Sequence, residues 1–427
     1  MPRITFYTLG CKVNQQETDS IRKLFENEGY ETVPFTSISD IYIINTCTVT
    51  QMSDKKSRQI IARAHSLNPN ALLVVLGCYA QRAPEEIQNL PGVHLVIGTQ
   101  YKNRLPQLVK DLAEQKVMVN SINKAQAFEE LPVVRGDRTR VQLKVQDGCD
   151  SFCSYCIIPY VRGPVRSKPL HQVKEELDRL GEAGVQEVVL TGIHLMSYGK
   201  DLKGKPKLAD VICYASMVKG IGRIRLGSLD PAFIDDRFVS LLENTSKGRL
   251  CEHFHLSLQS GSEDVLKRMN RKYTPNEYAA AAKRLRLAFP GCGLTTDIIT
   301  GFPGETNEDY LETLSFVEQM AFSRIHVFPY SLRTGTKAAN MAEQIEKSVK
   351  TERTRKLLEL GRKLEEDYLN QQIGTTHFVL PEVERSGFCE GYTGSYFRVG
   401  FKDKLKKELV KVKIVSVKEL QTYGECV

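Results

Sequence analysis

The sequence predicts an α/β protein in three parts: an N-terminal open parallel α/β domain, a central partial (βα)6 barrel and a small C-terminal β-barrel. Three observations carry this expectation. Apolar runs alternate with helical patterns over residues 4–97, as in a parallel sheet with helices on its faces. Six further strand–helix units follow over residues 141–328, enough to close most of a barrel. Beyond residue 373 the pattern changes to short strands between turns marked by Gly387, Gly391 and Gly394. The expected boundaries are 1–116, a linker at 117–138, the barrel at 139–345, a charged bridging helix at 346–371 and the tail at 372–427.

Composition sets the class. The chain has 427 residues, 41% hydrophobic and 26% charged, ordinary for a globular protein. No run reaches the roughly 18 apolar residues of a membrane span. The N-terminal residues lack the apolar core of a signal peptide. The expectation is a cytoplasmic protein with no membrane partner. Eleven cysteines, an odd number, point to metal or redox use more than to disulfides. A formal net charge of +8 favours a polyanionic partner.

In the N-terminal part, strands are expected at residues 4–9, 41–45, 71–76 and 93–97, and helices at 17–28 and 55–66. Cys11, Cys47 and Cys78 each fall just beyond one of the first three strands. Open parallel sheets bind ligands at the carboxyl ends of their strands, so three distant cysteines converge on one edge. Gly10 and Gly77 precede two of them and permit close backbone approach.

In the central part, strands are expected at 141–145, 187–191, 223–227, 254–258, 294–299 and 324–328. Cys149, Cys153 and Cys156 follow the first of these, at the mouth where barrel chemistry sits. Three thiolates leave one iron of a 4Fe–4S cube without a protein ligand, free to hold a substrate or cofactor. Zinc would want a fourth ligand, and the next histidine is His171.

In the tail, strands are expected at 376–380, 396–400 and 409–417. Seven lysines lie between Lys402 and Lys418, and Tyr392, Tyr396, Phe397 and Arg398 add aromatic and guanidinium surfaces. Basic charge with aromatics suits RNA. Cys213, Cys251, Cys292, Cys389 and Cys426 have no cluster-like spacing and read as packing residues.

The Cys149–Cys153–Cys156 spacing, with Tyr155 before the last cysteine, resembles the signature of radical S-adenosylmethionine enzymes. Together with the upstream cysteines and the basic tail, which resembles a TRAM domain, the whole chain resembles the methylthiotransferases. The string Thr8-Leu9-Gly10-Cys11-Lys12-Val13-Asn14 is most similar to the branch acting on N6-threonylcarbamoyladenosine beside the tRNA anticodon. Sister branches act on isopentenyladenosine in tRNA or on a ribosomal-protein aspartate. The resemblance implies two 4Fe–4S clusters, one on Cys149, Cys153 and Cys156 and an auxiliary one on Cys11, Cys47 and Cys78. It implies S-adenosylmethionine near Tyr155, Thr191, Gly192, Ser228, Gln259 and Asp297. One S-adenosylmethionine would methylate a sulfur on the auxiliary cluster. A second would yield a radical that attacks the adenine C2–H, where that sulfur is delivered. Implied partners are the tRNA anticodon stem–loop and a reductase or flavodoxin-type electron donor, with the enzyme a monomer. Arg162, Arg166, Tyr392 and Arg398 are the candidate substrate contacts.

Overall fold

The computed structural model describes residues 1–112, 116–124, 127–134, 139–245, 248–385 and 387–427. Its N-terminal sheet is entirely parallel. The strands run, in spatial order, Glu31–Thr32, Arg3–Thr8, Ile41–Thr46, Leu72–Gly77, Val93–Ile97 and Lys116–Met118. All six residues of Ile41–Thr46 are buried, because alternate side chains feed two cores. Ile43 packs with Ile4, Ile21 and Phe25 on one face, and Ile44 with Ile61 and Val75 on the other. Two edge strands were not expected. Lys116–Met118 starts the segment read as a linker, and Glu31–Thr32 is only two residues long. Both are short, exposed or half-exposed pieces without an apolar run, so local pattern carries no sign of them.

Six parallel strands of the central part follow in chain order: Arg140–Lys144, Glu187–Thr191, Arg223–Leu226, His253–His255, Gly293–Thr300 and Arg324–Pro329. They form two three-stranded sheets, joined by parallel bridges between Ile224 and Leu250 and between Leu229 and Leu256. The intervening helices include Leu170–Glu182, Pro275–Ala288 and Asn307–Met320. Capping boxes at Thr274/Glu277 and Thr306/Asp309 start the last two. Leu143, Leu177, Leu190, Ile224, Phe254 and Leu294 belong to one continuous core. This is the expected open (βα)6 arrangement.

Helix Lys347–Asn370 packs on Arg324–Pro329, where Gly361 leaves room for Ile325. The tail closes into a five-stranded barrel in ring order Thr376–Arg385, Phe388–Tyr392, Arg398–Lys402, Gln421–Cys426 and Val410–Lys418. Tyr396, expected within a strand, instead lies in a turn with φ +72°. This barrel sits on the N-terminal ends of the central strands. Arg223 donates to the carbonyls of Phe378 and Tyr392, and Arg225 to those of Thr393 and Gly394. Among the described residues, no helix is long and apolar enough to cross a membrane.

Candidate iron–sulfur and substrate site

The loop after the first barrel strand is tightly tied. Gly148 has φ +73°, and a Cβ there would stand 1.8 Å from the Pro164 carbonyl oxygen, so only glycine fits. Cys149 N–H donates to the Gly163 carbonyl at 3.0 Å, and Cys156 N–H to that of Cys153 at 2.9 Å. Ser154 anchors the middle of the loop through the carbonyls of Arg268 and Met269. Cys149, Cys153 and Cys156 line one cavity of about 150 Å³. Arg271 Nη1 donates to the Cys153 sulfur at 3.3 Å. Burial, with the neighbouring cysteines, raises the Cys149 thiol and pushes Cys156 up to about 12.

Tyr155, Ser228 and Gln259 line this same cavity. Thr191 and Gly192 do not; their successors Ile193 and His194 do, while Gly192 packs on the Gln146 side chain. Asp297 is also elsewhere. Its Oδ2 accepts from His255 Nε2 at 3.2 Å, and His326 lies beside the pair.

The second cysteine set is assembled by backbone crowding. Gly10 has φ +107°, and a Cβ on it would stand 2.9 Å from Cys47 Cβ. Gly77, at φ +101°, would meet Asn45 Oδ1 at 2.4 Å. The two glycines therefore let the strand-end loops approach one another. Cys11 is exposed, whereas Cys47 and Cys78 are buried. Burial, together with the neighbouring Cys47 and Cys11, pushes the Cys78 thiol up to about 12 despite Arg162. Burial and Cys11 likewise raise Cys47. Arg333, from beyond the last barrel strand, holds the Cys47 loop through Thr48 Oγ1 and Asp54 Oδ2, each at 2.6 Å.

Arg162, which follows the first cysteine set in the chain, reaches Cys78 of the second, and its expected role is corrected. It is fully buried, so its guanidinium does not face an incoming substrate. Its Nε donates to Cys78 Sγ at 3.3 Å, its Nη1 to Glu17 Oε1 at 2.6 Å and its Nη2 to Asn14 Oδ1 at 2.5 Å. Lys144 completes the cluster, reaching Glu17 at 2.7 Å and Asp147 at 2.6 Å. Burial opposes the Glu17 charge, but Arg162, Lys102 and Lys144 hold its carboxyl far below the usual range. Arg166 is buried as well, with its Nη2 3.7 Å from Asp147 and its Nη1 donating to the Pro164 carbonyl. Tyr392 and Arg398 do line an open cavity, of about 650 Å³, and Arg398 pairs with Glu390. Sequence reasoning missed Arg271, Glu17, Lys144 and Asp147, since none carries a motif.

The donor sets suit clusters better than single ions. Among the described residues, three His, Cys, Asp or Glu ligand atoms lie within 4.8 Å of one another at His255, Asp297 and His326. Neither cysteine triad is gathered that tightly, as one zinc would require. Burial first, and neighbouring cysteines second, hold the Cys47, Cys78, Cys149 and Cys156 thiols protonated, and a strongly positive group would draw off those protons.

A parallel barrel with three cysteines after its first strand is the frame on which radical S-adenosylmethionine chemistry is built. The Radical SAM superfamily matches residues 143–317, and an uncharacterized protein family, UPF0004, matches residues 3–98. The chain is 42% identical to the threonylcarbamoyladenosine tRNA methylthiotransferase MtaB of Bacillus subtilis, over 97% of this chain and 94% of that protein. It is 36% identical to the tRNA-2-methylthio-N(6)-dimethylallyladenosine synthase of Pelotomaculum thermopropionicum, over 92% of this chain and 90% of that one. A solved radical S-adenosylmethionine methyltransferase, TsrM from Kitasatospora setae, shares the fold with a TM-score of 0.56 at 16% identity, covering 79% of this chain and 77% of that one. The chain belongs to the radical S-adenosylmethionine methylthiotransferase family. It is an enzyme of that type, and the family implies a 4Fe–4S cluster and S-adenosylmethionine.

Proposed function

We propose that this enzyme converts N6-threonylcarbamoyladenosine beside the tRNA anticodon into its 2-methylthio derivative. The observation that carries the reading is the pair of cysteine triads, each one ligand short of a cube, with a buried arginine from the short helix after the first triad reaching Cys78 of the second. The high identity to the Bacillus subtilis protein supports the choice of modified base. When bound, two clusters and S-adenosylmethionine supply a hydrogen-abstracting radical and a transferable methylated sulfur, chemistry that side chains cannot perform at an unactivated C2–H.

Cys149, Cys153 and Cys156 hold one cluster, and Cys11, Cys47 and Cys78 the auxiliary one. Arg271 and Arg162 each direct an N–H at a cysteine sulfur and offset its negative charge. Tyr155, Ser228 and Gln259 surround S-adenosylmethionine in the cavity they share with the first triad. Arg162 and its carboxylate partners fix the spacing between the two sites. Tyr392 and Arg398 contact the RNA. The enzyme works as a monomer in the cytoplasm, with electrons from a reductase or flavodoxin-type donor.

Protein reconstituted anaerobically with iron and sulfide is expected to bind about eight irons, four per cube. Cys153→Ala should abolish S-adenosylmethionine cleavage. Cys11→Ala should keep cleavage yet stop methylthio transfer to a threonylcarbamoyladenosine-bearing stem–loop. Intact transfer by Cys11→Ala would sink the two-cluster reading. Nucleoside mass spectrometry of tRNA from a strain lacking the gene identifies the substrate. Loss of the isopentenyl derivative instead of the threonylcarbamoyl one would move the assignment to the sister activity.

A further inference from the structure

The cavity of about 650 Å³ is lined by Lys12, Ser228, His255, Tyr392, Tyr396 and Arg398, among others. Its position ties it to both cysteine sets. Lys12 follows Cys11 directly, and Ser228 also lines the cavity of Cys149, Cys153 and Cys156. An adjoining cavity of about 440 Å³ shares Lys12 and Tyr396 and adds Arg140, Gln142 and Arg225.

Positive charge gathers here. Arg225 Cζ lies 4.6 Å from the centre of the Tyr396 ring, Arg140 Cζ 5.6 Å and Lys12 Nζ 5.8 Å. Arg225 is balanced by Glu187 and Arg140 by Glu382. Among the described residues, the Lys12 ammonium has no carboxylate within ion-pair distance and no hydrogen-bond acceptor, and its contact is the Tyr396 ring. Lys12 is solvent-exposed, so its ammonium is open to an incoming group. Burial alone would raise the Tyr396 phenol; Lys12, Arg140 and Arg225 overcome this and lower it. Three cations around one ring, with carboxylate partners for only Arg225 and Arg140, leave a surplus positive charge that an anion would offset.

The wall opposite the lysine is fixed. Tyr396 is held at φ +72°, unusual for a non-glycine residue, between His253 at 4.7 Å and Tyr392 at 5.0 Å. The stacked rings make a rigid surface, and the Lys12 ammonium lies 5.8 Å from the centre of the Tyr396 ring at the cavity wall.

We propose that this cavity receives the N6 substituent of the substrate adenosine, that Lys12 pairs with its carboxylate, and that this contact selects a threonylcarbamoyl over a dimethylallyl side chain. The inference rests on the substrate reading given under Proposed function. A threonylcarbamoyl group ends in a carboxylate and carries a hydroxyl. A dimethylallyl group has neither, so it would desolvate Lys12 without replacing the lost water. Lys12 acts through binding and takes no part in the radical step.

Three anticodon stem–loops test this: one bearing threonylcarbamoyladenosine, one with the threonine carboxylate converted to the neutral amide, and one bearing dimethylallyladenosine. Their dissociation constants are measured by fluorescence anisotropy with wild-type, Lys12→Met and Lys12→Arg holoenzymes. Wild type should bind the carboxylate loop about 10- to 100-fold tighter than the amide loop, the range of a charged hydrogen bond. Lys12→Met should lose most of that ratio and Lys12→Arg should keep it. Equal binding of carboxylate and amide by wild type, or an unchanged ratio in Lys12→Met, overturns the proposal. The wild-type comparison needs no variant, so it stays decisive even if Lys12→Met fails to fold. Turnover separates the two readings. Wild type that methylthiolates only the dimethylallyl loop removes the substrate assignment. Conversion of the threonylcarbamoyl loop with unchanged Lys12→Met selectivity removes only the role of Lys12.

Discussion

Glu187 opens the second barrel strand and is fully buried, with Arg225 Nε at 2.7 Å from one carboxylate oxygen and Arg223 Nε on the other. Burial would raise its pKa, but Arg225 and Arg223 dominate and hold it at about 2, against an ordinary 4.5. A depressed carboxyl stabilises the fold fully above the unfolded value and loses that contribution as pH falls through the folded value. The difference corresponds to about 3 kcal/mol. Glu187→Gln should therefore be less stable than wild type by a constant amount above pH 4.5. The gap should close between pH 4.5 and about 2. Urea unfolding followed by circular dichroism across that range checks this, and a gap that stays constant down to pH 2 would refute the ion-pair account. Nothing in the sequence marks Glu187, since its partners lie 36 and 38 positions away. The cysteines were legible because spacing is a local property. Arg271 and Arg162 find their sulfurs from 118 and 84 positions away, so their roles were not.

Elements were legible in proportion to their apolar content. The central strands and helices carry alternating or 3.6-residue patterns, and the structure builds them close to where those patterns lie. In the tail, three strands were foreseen and two were not. Phe388–Tyr392 and Gln421–Cys426 are rich in Gly, Glu, Cys and Gln, and they form because the ring of hydrogen bonds must close. Where this barrel sits was also hidden, since docking rests on backbone contact. Gly293, first residue of the fifth central strand, lies against the Ser395 carbonyl, and an added Cβ would stand 2.2 Å from that oxygen. Gly293 does not adopt a positive φ, so alanine is acceptable to its backbone but not to its neighbour. Gly293→Ala should cost about 1–3 kcal/mol and loosen the tail. Gly394→Ala, on the facing turn, meets nothing nearer than 3.9 Å and should be neutral. Thermal unfolding and limited proteolysis of both variants check the pair. Equal melting temperatures would mean that the docked tail yields without cost.

At the scale of the whole molecule, the two cysteine sets must keep one distance although they belong to separate parts of the chain. The tie between them is a buried charge cluster. Glu17, on helix Lys12–Asn27, faces Arg162 at 2.6 Å and Lys144 at 2.7 Å from the central part, and Lys102 at 3.4 Å from its own. Asp147 supplies the second negative charge, 2.6 Å from Lys144. Such a cluster adds little net stability over an apolar contact, but it is intolerant of losing one member. Glu17→Ala would leave buried Arg162 and Lys144 sharing Asp147, with Lys102 keeping Glu129 at 3.3 Å, at a cost of about 3–5 kcal/mol. That cost falls on the junction, because Arg162, Lys144 and Asp147 all come from the central part. Calorimetry of wild type should show the N-terminal and central parts unfolding together. In Glu17→Ala the N-terminal part should melt separately and earlier. Methylthio transfer should fall more steeply than S-adenosylmethionine cleavage, because transfer needs both sites in register and cleavage needs one. A single transition at the wild-type temperature, or equal losses in both reactions, would show that another contact sets the spacing.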